Sequence, residues 1–114
     1  MEFLNSILID GVLTDDPHLD YTPHGSARCI FFLKSTRTVK ETTQEVMREE
    51  CGLYQIQTTG RLAEVCADYL KTGRSVRVVG RLCSVAELVY IHAEHVEFKP
   101  QPKAKDATPR ASGN

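Results

Sequence analysis

The four histidines and four cysteines are the residue types in this chain that could hold a metal ion or act in catalysis. His18 and His24 belong to turn sequences, while His92 and His95 have no thiol or carboxylate arranged beside them as a matching site. The cysteines contain no C-x-x-C pair, and no Ser-His-Asp set or glycine-rich phosphate loop is recognisable. We therefore predict reduced, mostly buried thiols, no metal, no cofactor and no enzymatic activity.

One segment offers a different chemistry, because a ring and several cations share one face of an extended run. Arg28, Phe32 and Lys34 alternate on the same side of the chain, and Arg37 follows at its end. A ring with cations beside it is suited to stacking and to binding negative charge. In the alternative interpretation, Ile30 and Phe32 form a contact between subunits, since exposed apolar side chains often mark a protein partner.

Length and charge limit what the chain can be. Its 114 residues fit one modest core, with no run of the roughly 18 to 20 apolar residues that a membrane span needs. The first residues do not resemble a signal peptide, so we expect a cytoplasmic protein. Net charge is +3 from residue 99 onward and -4 before it, and all ten basic residues of the body lie between Arg28 and Arg81. A polyanion would therefore bind the middle of the chain.

An apolar stripe with helical spacing predicts one helix of about three turns. Its members are Leu62, Val65, Cys66, Tyr69 and Leu70, and we interpret Tyr69 as either a core residue, the favoured alternative, or the edge of a groove. Gly73 is placed as the C-terminal cap, and Lys71 complements the dipole in the last turn. The Gly-Arg-Leu at residue 60 is then the helix start, whereas the same tripeptide at residue 80 lies in a strand.

Alternation of apolar side chains predicts five strands. They cover residues 7–13, 27–34, 53–59, 76–82 and 88–98. Gly11 marks a bend or bulge in the first strand, and the turn sequence at 22–25 is placed to form a hairpin. The polar stretch 35–50 is either a long loop or a loosely formed hairpin.

Three strands, one helix and two strands are the element order of the OB fold. This is an all-β class with one helix, a five-stranded Greek-key barrel whose helix lies between strands three and four. We expect residues 1–98 to form this domain and residues 99–114, which contain Pro and Lys but no large apolar residue, to be a disordered basic tail. OB folds bind oligonucleotides or oligosaccharides, and the fold alone does not decide between them.

Three quoted segments carry a resemblance to the bacterial single-stranded DNA-binding protein (SSB) family. They are "LNSILIDGVLTDDPHLDYTPHGSA" at 4–27, "GRLAEVCADYLKTGRSVRVVGRL" at 60–82 and "AEHVEF" at 93–98. The resemblance implies a homotetramer of OB folds around which single-stranded DNA wraps without sequence preference. It also implies roles in DNA replication, repair and recombination, and a place at the nucleoid.

The resemblance further implies individual site residues. Arg61, Lys71 and Arg81 match basic or polar family positions near the DNA path, and we add them to Arg28, Phe32, Lys34 and Arg37 as candidates for nucleic-acid binding. Tyr54 replaces a family histidine that resembles an oligomer contact, so with Ile30 it is a candidate interface residue.

The chain departs from the family pattern where bases would stack. The family's aromatic positions are occupied here by Thr38, Leu53 and Thr59, and the chain contains no Trp. The hairpin between the last two strands is reduced to residues 83–87, and the sequence ends in Ser-Gly-Asn instead of an acidic, Phe-ended tip. We therefore predict a divergent family member.

Two functions remain open from the sequence. The first is an SSB-type protein that binds single-stranded DNA through phosphate contacts and limited stacking. The alternative is an SSB-derived adaptor, resembling primosomal proteins of this fold, that mainly binds replication and repair proteins. A tetramer would favour the first function and a dimer the second, and an OB fold for RNA or oligosaccharide is a third class.

Overall fold

The computed structural model describes residues 2–41 and 46–100, so the predicted tail beyond residue 100 lies outside the described residues. The strands are β1 (Ile7–Leu13), β2 (His18–Tyr21), β3 (Ala27–Glu41), β4 (Val46–Thr59), β5 (Ser75–Val85) and β6 (Leu88–Phe98). The helix α1 (Gly60–Tyr69) lies between β4 and β5. No helix in this described part of the chain is long and apolar enough to cross a membrane.

The strands close into a barrel. Their order in the sheet is β1-β5-β6-β4-β3-β2, and β1 also pairs with β3 through Val12 opposite Lys34 and Leu13 opposite Leu33. The β4–β6 pair is parallel and every other pair is antiparallel. A closed barrel with one helix confirms the predicted OB fold.

The helix follows the fourth strand and not the predicted third, because the structure contains a short strand, β2, that was not predicted. β1 and β2 lie one after the other along the same edge of β3, with Leu13 opposite Leu33 and His18 opposite Ile30. Between them lies Pro17, which has no N–H to donate to a ladder. When β1 and β2 are counted as one interrupted strand, the barrel has the predicted five.

The core is filled by alternate residues of β3 and by side chains from the surrounding elements. Ala27, Cys29, Phe31 and Leu33 point inward, as predicted. Further core residues are Leu13, Ile56, Ala63, Cys66, Leu70, Val76, Val78, Ile91, Ala93 and Val96. The buried Thr58 hydroxyl donates to the carbonyl of Ala93 at 3.1 Å, so this polar group inside the barrel is satisfied.

The polar stretch 35–50 forms a hairpin, one of the two predicted alternatives. β3 and β4 pair from Arg28 opposite Thr59 out to Glu41 opposite Val46. Towards the tip, Arg48 forms ion pairs with Glu41 and Glu50. The outer half of this hairpin has few core contacts, and its backbone ladder and these ion pairs hold it.

The helix ends earlier than predicted. Leu70 is buried and takes an extended backbone, and its N–H donates to the carbonyl of Cys66 at 2.9 Å. Gly73 lies beyond the helix in a turn at φ +89°, where its N–H donates to Leu13 at 2.8 Å. The predictions that Gly73 caps the helix and that Lys71 lies in its last turn are therefore wrong. Tyr69, the last helical residue, is 65% exposed and is not a core residue.

Gly11 and Gly80 each allow a close backbone approach in the barrel. Gly11 lies where β1 passes from β5 to β3, and a Cβ there would come within 2.8 Å of the Lys34 carbonyl oxygen. The described β1 pairings contain no register shift, and the bulge lies between Val79 and Gly80 in the β5–β6 pairing. The predicted bulge is therefore not at Gly11, and the bulge of the β5–β6 pairing has its extra residue, Glu94, in β6.

The C-terminal end of β6 is held to the barrel up to Lys99. The Lys99 N–H donates to Ser75 at 3.1 Å, and its ammonium lies 3.0 Å from Asp10. Arg77 donates to the same carboxylate at 2.8 Å, and Arg77 and Lys99 lower the pKa of Asp10 to about 2. Lys99, the first residue of the predicted tail, thus contacts the domain.

Gly80 provides a test of the barrel's packing. A Cβ at this buried position would overlap the carbonyl oxygen of His92, and this backbone atom cannot rotate away. We predict that Gly80→Ala lowers the free energy of unfolding by about 1 to 3 kcal/mol, measured by urea denaturation. Ser84→Ala, an exposed change on the same strand, should stay within about 0.5 kcal/mol of the parent. Equal stabilities for the two variants would contradict the close approach.

The four cysteines divide by burial. Cys29 and Cys66 are fully buried, and burial raises the pKa of their thiols to about 11 and about 12. Cys51 is exposed and Cys83 is half-buried. Because the thiolate is the reactive form, we predict that the native protein reacts with Ellman's reagent only at Cys51 and Cys83, and that denaturant releases all four thiols. Rapid reaction of four thiols in the native protein would contradict the buried core.

Candidate nucleic-acid interface

The side chains that point out of β3, β4 and β6 form one surface, which we call the outer face. It consists of Arg28, Ile30, Phe32 and Lys34 on β3, Leu53, Gln55, Gln57 and Thr59 on β4, and Tyr90 and His92 on β6. Ile30 lies opposite Gln57, and Gln57 lies opposite His92, so a continuous row crosses the three strands. At about 4.8 Å between strands, the row is roughly 10 Å long.

Two aromatic rings lie on this face. Phe32, which is 36% exposed, lies opposite Gln55 on the neighbouring strand. Gln55 and Tyr90 line the same cleft, so the two rings flank Gln55 from either side. Tyr90 is not among the site residues predicted from the sequence, because no faces were assigned to the last strand. The signal was present, since Tyr90 and His92 alternate with two buried residues.

Arg28 is on the outer face as predicted, and its guanidinium is paired. Its Nε and one terminal nitrogen donate to the two carboxylate oxygens of Asp20 at 2.9 and 2.7 Å. These hydrogen bonds lower the pKa of Asp20 and raise that of Arg28. Arg28 therefore presents a charge that a neighbouring carboxylate already balances.

Arg81 lies on β5 at the edge of the outer face, opposite His92. Its Nη1 donates to a carboxylate oxygen of Glu94 at 2.8 Å. Burial lowers the pKa of His92, and the charge of Arg81 lowers it further. Within residues 2–41 and 46–100, no group of three or more His, Cys, Asp or Glu side chains is placed to hold a metal ion.

Lys34 is exposed beside Phe32 on the outer face, opposite Leu53. Among the residues that the structure describes, Lys34 forms no ion pair. A lysine ammonium is a strongly hydrated point charge that binds phosphate without a fixed geometry. Lys34 and Phe32 therefore form the most accessible pair of a cation and a ring among the predicted residues of this face.

Arg37 does not join this pair. It lies three residues beyond Lys34, so it points to the opposite side of the hairpin, where it pairs in register with Glu50. There it lines a separate cleft together with Tyr54 and Leu8. Arg37 therefore follows at the end of the strand face with its side chain turned to the other side, because an odd offset from Lys34 reverses the side-chain direction.

Arg61 and Lys71 lie at opposite ends of the helix. Arg61 is exposed in the first turn of α1, just after Thr59 of the outer face. Lys71 is exposed in the turn that follows α1, near Asp16. The helix of ten residues is about 15 Å long, so the structure does not bring these two cations together.

The two predicted interface residues lie on different surfaces. Ile30 is half-buried on the outer face between His18 and Gln57. Tyr54 lies opposite Leu33, its ring covers Gly52, and 42% of its surface is exposed. Any subunit contact through both residues would require two separate interfaces.

The three positions at which the resemblance implies stacking rings, Thr38, Leu53 and Thr59, lie along the same hairpin. Leu53 and Thr59 belong to the outer face, and Leu53 is 63% exposed. Thr38 lies further out on β3, opposite Glu49. Side chains at these positions could therefore contact a ligand, but none of the three carries an aromatic ring.

The sequence profile of the Single-strand binding protein family matches residues 4–87. The chain belongs to this family, as the resemblance predicted.

Solved structures agree with this assignment. The wild-type single-stranded DNA binding protein from Thermus aquaticus has 29% identity and a TM-score of 0.73, and a deletion mutant of it has 28% and 0.75. Each match covers 85% of this chain and about half of the Thermus chain (50% and 51%). A Plasmodium falciparum SSB, solved as a complex with ssDNA, has 17% identity and a TM-score of 0.79, covering 88% of this chain and 98% of that one. At this identity, the similarity to the Plasmodium protein shows the fold alone.

Proposed function

We propose that this protein binds single-stranded DNA without sequence preference and acts as a homo-oligomer in DNA replication, repair and recombination. The observation that carries the proposal is the outer face, where exposed Phe32, half-buried Tyr90 and exposed Lys34 lie on one surface of an SSB-family barrel. The function is binding and not catalysis, and its place is the cytoplasm, at the nucleoid.

Bases would stack on Phe32 and Tyr90. Both rings are part of rigid strands, so neither needs to be ordered when a base binds. Stacking on an aromatic side chain contributes about 1 to 3 kcal/mol per base and tolerates any base, because each base has a π-face. The amides of Gln55 and Gln57 between the strands can hydrogen-bond to the sugar and phosphate oxygens.

Phosphates would bind the cations around the rings. Lys34 lies beside Phe32, Arg28 follows at the other end of the β3 face, and Arg61 begins the helix beyond Thr59. Binding through such contacts weakens steeply with salt, since each phosphate contact releases counterions. Arg37, Lys71 and Arg81 extend the path beyond the outer face in our proposal.

Oligomerisation would compensate for the few rings on one subunit. Several weak sites on one particle raise the effective concentration of DNA at each site, so the overall affinity can exceed that of a single face. We propose Ile30 and Tyr54 as subunit contacts, with a tetramer as the expected state.

A second candidate function is an adaptor that mainly binds replication and repair proteins. It is favoured by exposed apolar side chains at the β5–β6 turn, namely Leu82, Val85, Leu88 and Val89. Phe3 and Leu4, which are 88% and 94% exposed, lie beside this turn. Clusters of this kind often contact another protein.

Substitutions of Phe32 test the proposed stacking. We predict that Phe32→Ala and Phe32→Leu each weaken binding to labelled oligo-dT about tenfold, because both remove the ring, while Phe32→Tyr retains affinity. Fluorescence anisotropy at several salt concentrations measures the dissociation constants, with duplex of equal length as the control ligand.

The leucine variant separates the two interpretations of Phe32. Leucine keeps the apolar contact that a subunit interface would need and loses only the π-face. Sedimentation analysis should therefore find the parent oligomer for Phe32→Leu. A change of oligomeric state, or unchanged affinity without the ring, would contradict Phe32 as a stacking residue. No binding of the parent protein to oligo-dT at low salt would overturn the proposed function and favour the adaptor.

A further inference from the structure

Two arginines at the outer face are bound by carboxylates from neighbouring strands. Arg28 donates two parallel hydrogen bonds to Asp20, at 2.9 and 2.7 Å. Arg81 donates one to Glu94 at 2.8 Å. Lys34, between them in the chain, forms no ion pair among the residues that the structure describes.

The sheet itself places these carboxylates. Asp20 lies directly opposite Arg28 in the β2–β3 pairing, so the two side chains share one face. Arg81 lies opposite His92 in the β5–β6 pairing, and Glu94 is the next residue of β6 on that face. Strand register therefore keeps Asp20 within reach of Arg28. Glu94 is the residue that the β5–β6 register shift leaves without an opposite partner, and it lies within reach of Arg81.

A paired guanidinium has the same donors that a phosphate would use. Arginine binds carboxylate and phosphate with the same fork of N–H groups, so the two anions compete for one set of hydrogen bonds. The carboxylate also repels an approaching phosphate. Each ion pair is more than a third exposed, so DNA can displace the acid.

We propose that Asp20 and Glu94 are internal competitors of the DNA backbone, which hold Arg28 and Arg81 in ion pairs and set the affinity for single-stranded DNA below what the cations of this face could provide. The inference rests on the proposed function, because it assigns two acidic residues to the same DNA path. A DNA strand binds fully only when its phosphates replace the two carboxylates.

The chain contains a matched control on the same strand as Glu94. Glu97 lies 3.9 Å from Arg77, which is four residues from Arg81 along β5 and therefore about 13 Å away. Glu97→Gln changes the net charge by the same amount as Glu94→Gln. It leaves the pairs of Arg28 and Arg81 intact, so it measures the effect of net charge alone.

The experiment measures anisotropy of labelled oligo-dT with the full chain, for the parent and for Asp20→Asn, Glu94→Gln and Glu97→Gln. We predict that Asp20→Asn and Glu94→Gln each tighten binding about two- to fivefold at low salt. Each should also steepen the dependence of log K on log salt by about 0.7, the value for one added phosphate contact on a single strand. Glu97→Gln should change neither quantity.

A double-mutant cycle tests whether the gain passes through the arginine. Arg28→Ala should cost less affinity in the parent, where the Asp20 carboxylate competes for the guanidinium, than in the Asp20→Asn background, where it should abolish the gain. Circular dichroism and thermal unfolding check the fold of every variant, and Glu94→Gln provides an independent arm at a second pair.

The outcomes separate this inference from the proposed function. If the parent binds oligo-dT, and neither Asp20→Asn nor Glu94→Gln binds more tightly than Glu97→Gln, the competition is refuted while DNA binding stands. If all variants gain equally, net charge accounts for the effect and the inference is again overturned. If the parent and all variants fail to bind at low salt, the proposed function and the inference fail together.

Discussion

Burial of alternate residues of β3 inside the barrel is the constraint on which the rest of the structure depends. Ala27, Cys29, Phe31 and Leu33 can fill the core only if β3 keeps one register against β4. A slip of one residue would turn all four towards solvent and bring Arg28, Ile30 and Phe32 inside. The outer face is therefore the other half of the same alternation, and the core fixes its side chains in place.

The electrostatics of this surface are closely balanced. The barrel body has a net charge of -4 with all its basic residues between Arg28 and Arg81, and acids on neighbouring strands neutralise these two arginines. The rings are also few, since two aromatic side chains, Phe32 and Tyr90, lie on the outer face. In the function that we propose, these features limit the strength of DNA binding per subunit, so that oligomerisation and displacement of the carboxylates would both control the affinity.

The strand alternation and the helical stripe in the sequence were sufficient to predict the barrel and the outward direction of Arg28, Phe32 and Lys34. β2 was not predicted because a strand of four residues, two of them polar, is too short to show a periodic pattern. The outer half of the β3–β4 hairpin remained ambiguous because it has few core contacts to produce apolar alternation. The pairs of Arg28 with Asp20 and Arg81 with Glu94 could not be predicted, since they depend on strand register and sequence spacing alone does not determine it.

The most direct test of the account is to map the DNA contact on isotope-labelled protein by NMR, titrating oligo-dT at low salt. We predict that chemical shifts change most along the outer face, at Phe32, Gln55 and Tyr90, and that they change less around the Asp10–Arg77 pair on β1 and β5. Changes confined to β1 and β5, or to the β5–β6 turn, would contradict the central claim that single-stranded DNA binds the outer face of β3, β4 and β6.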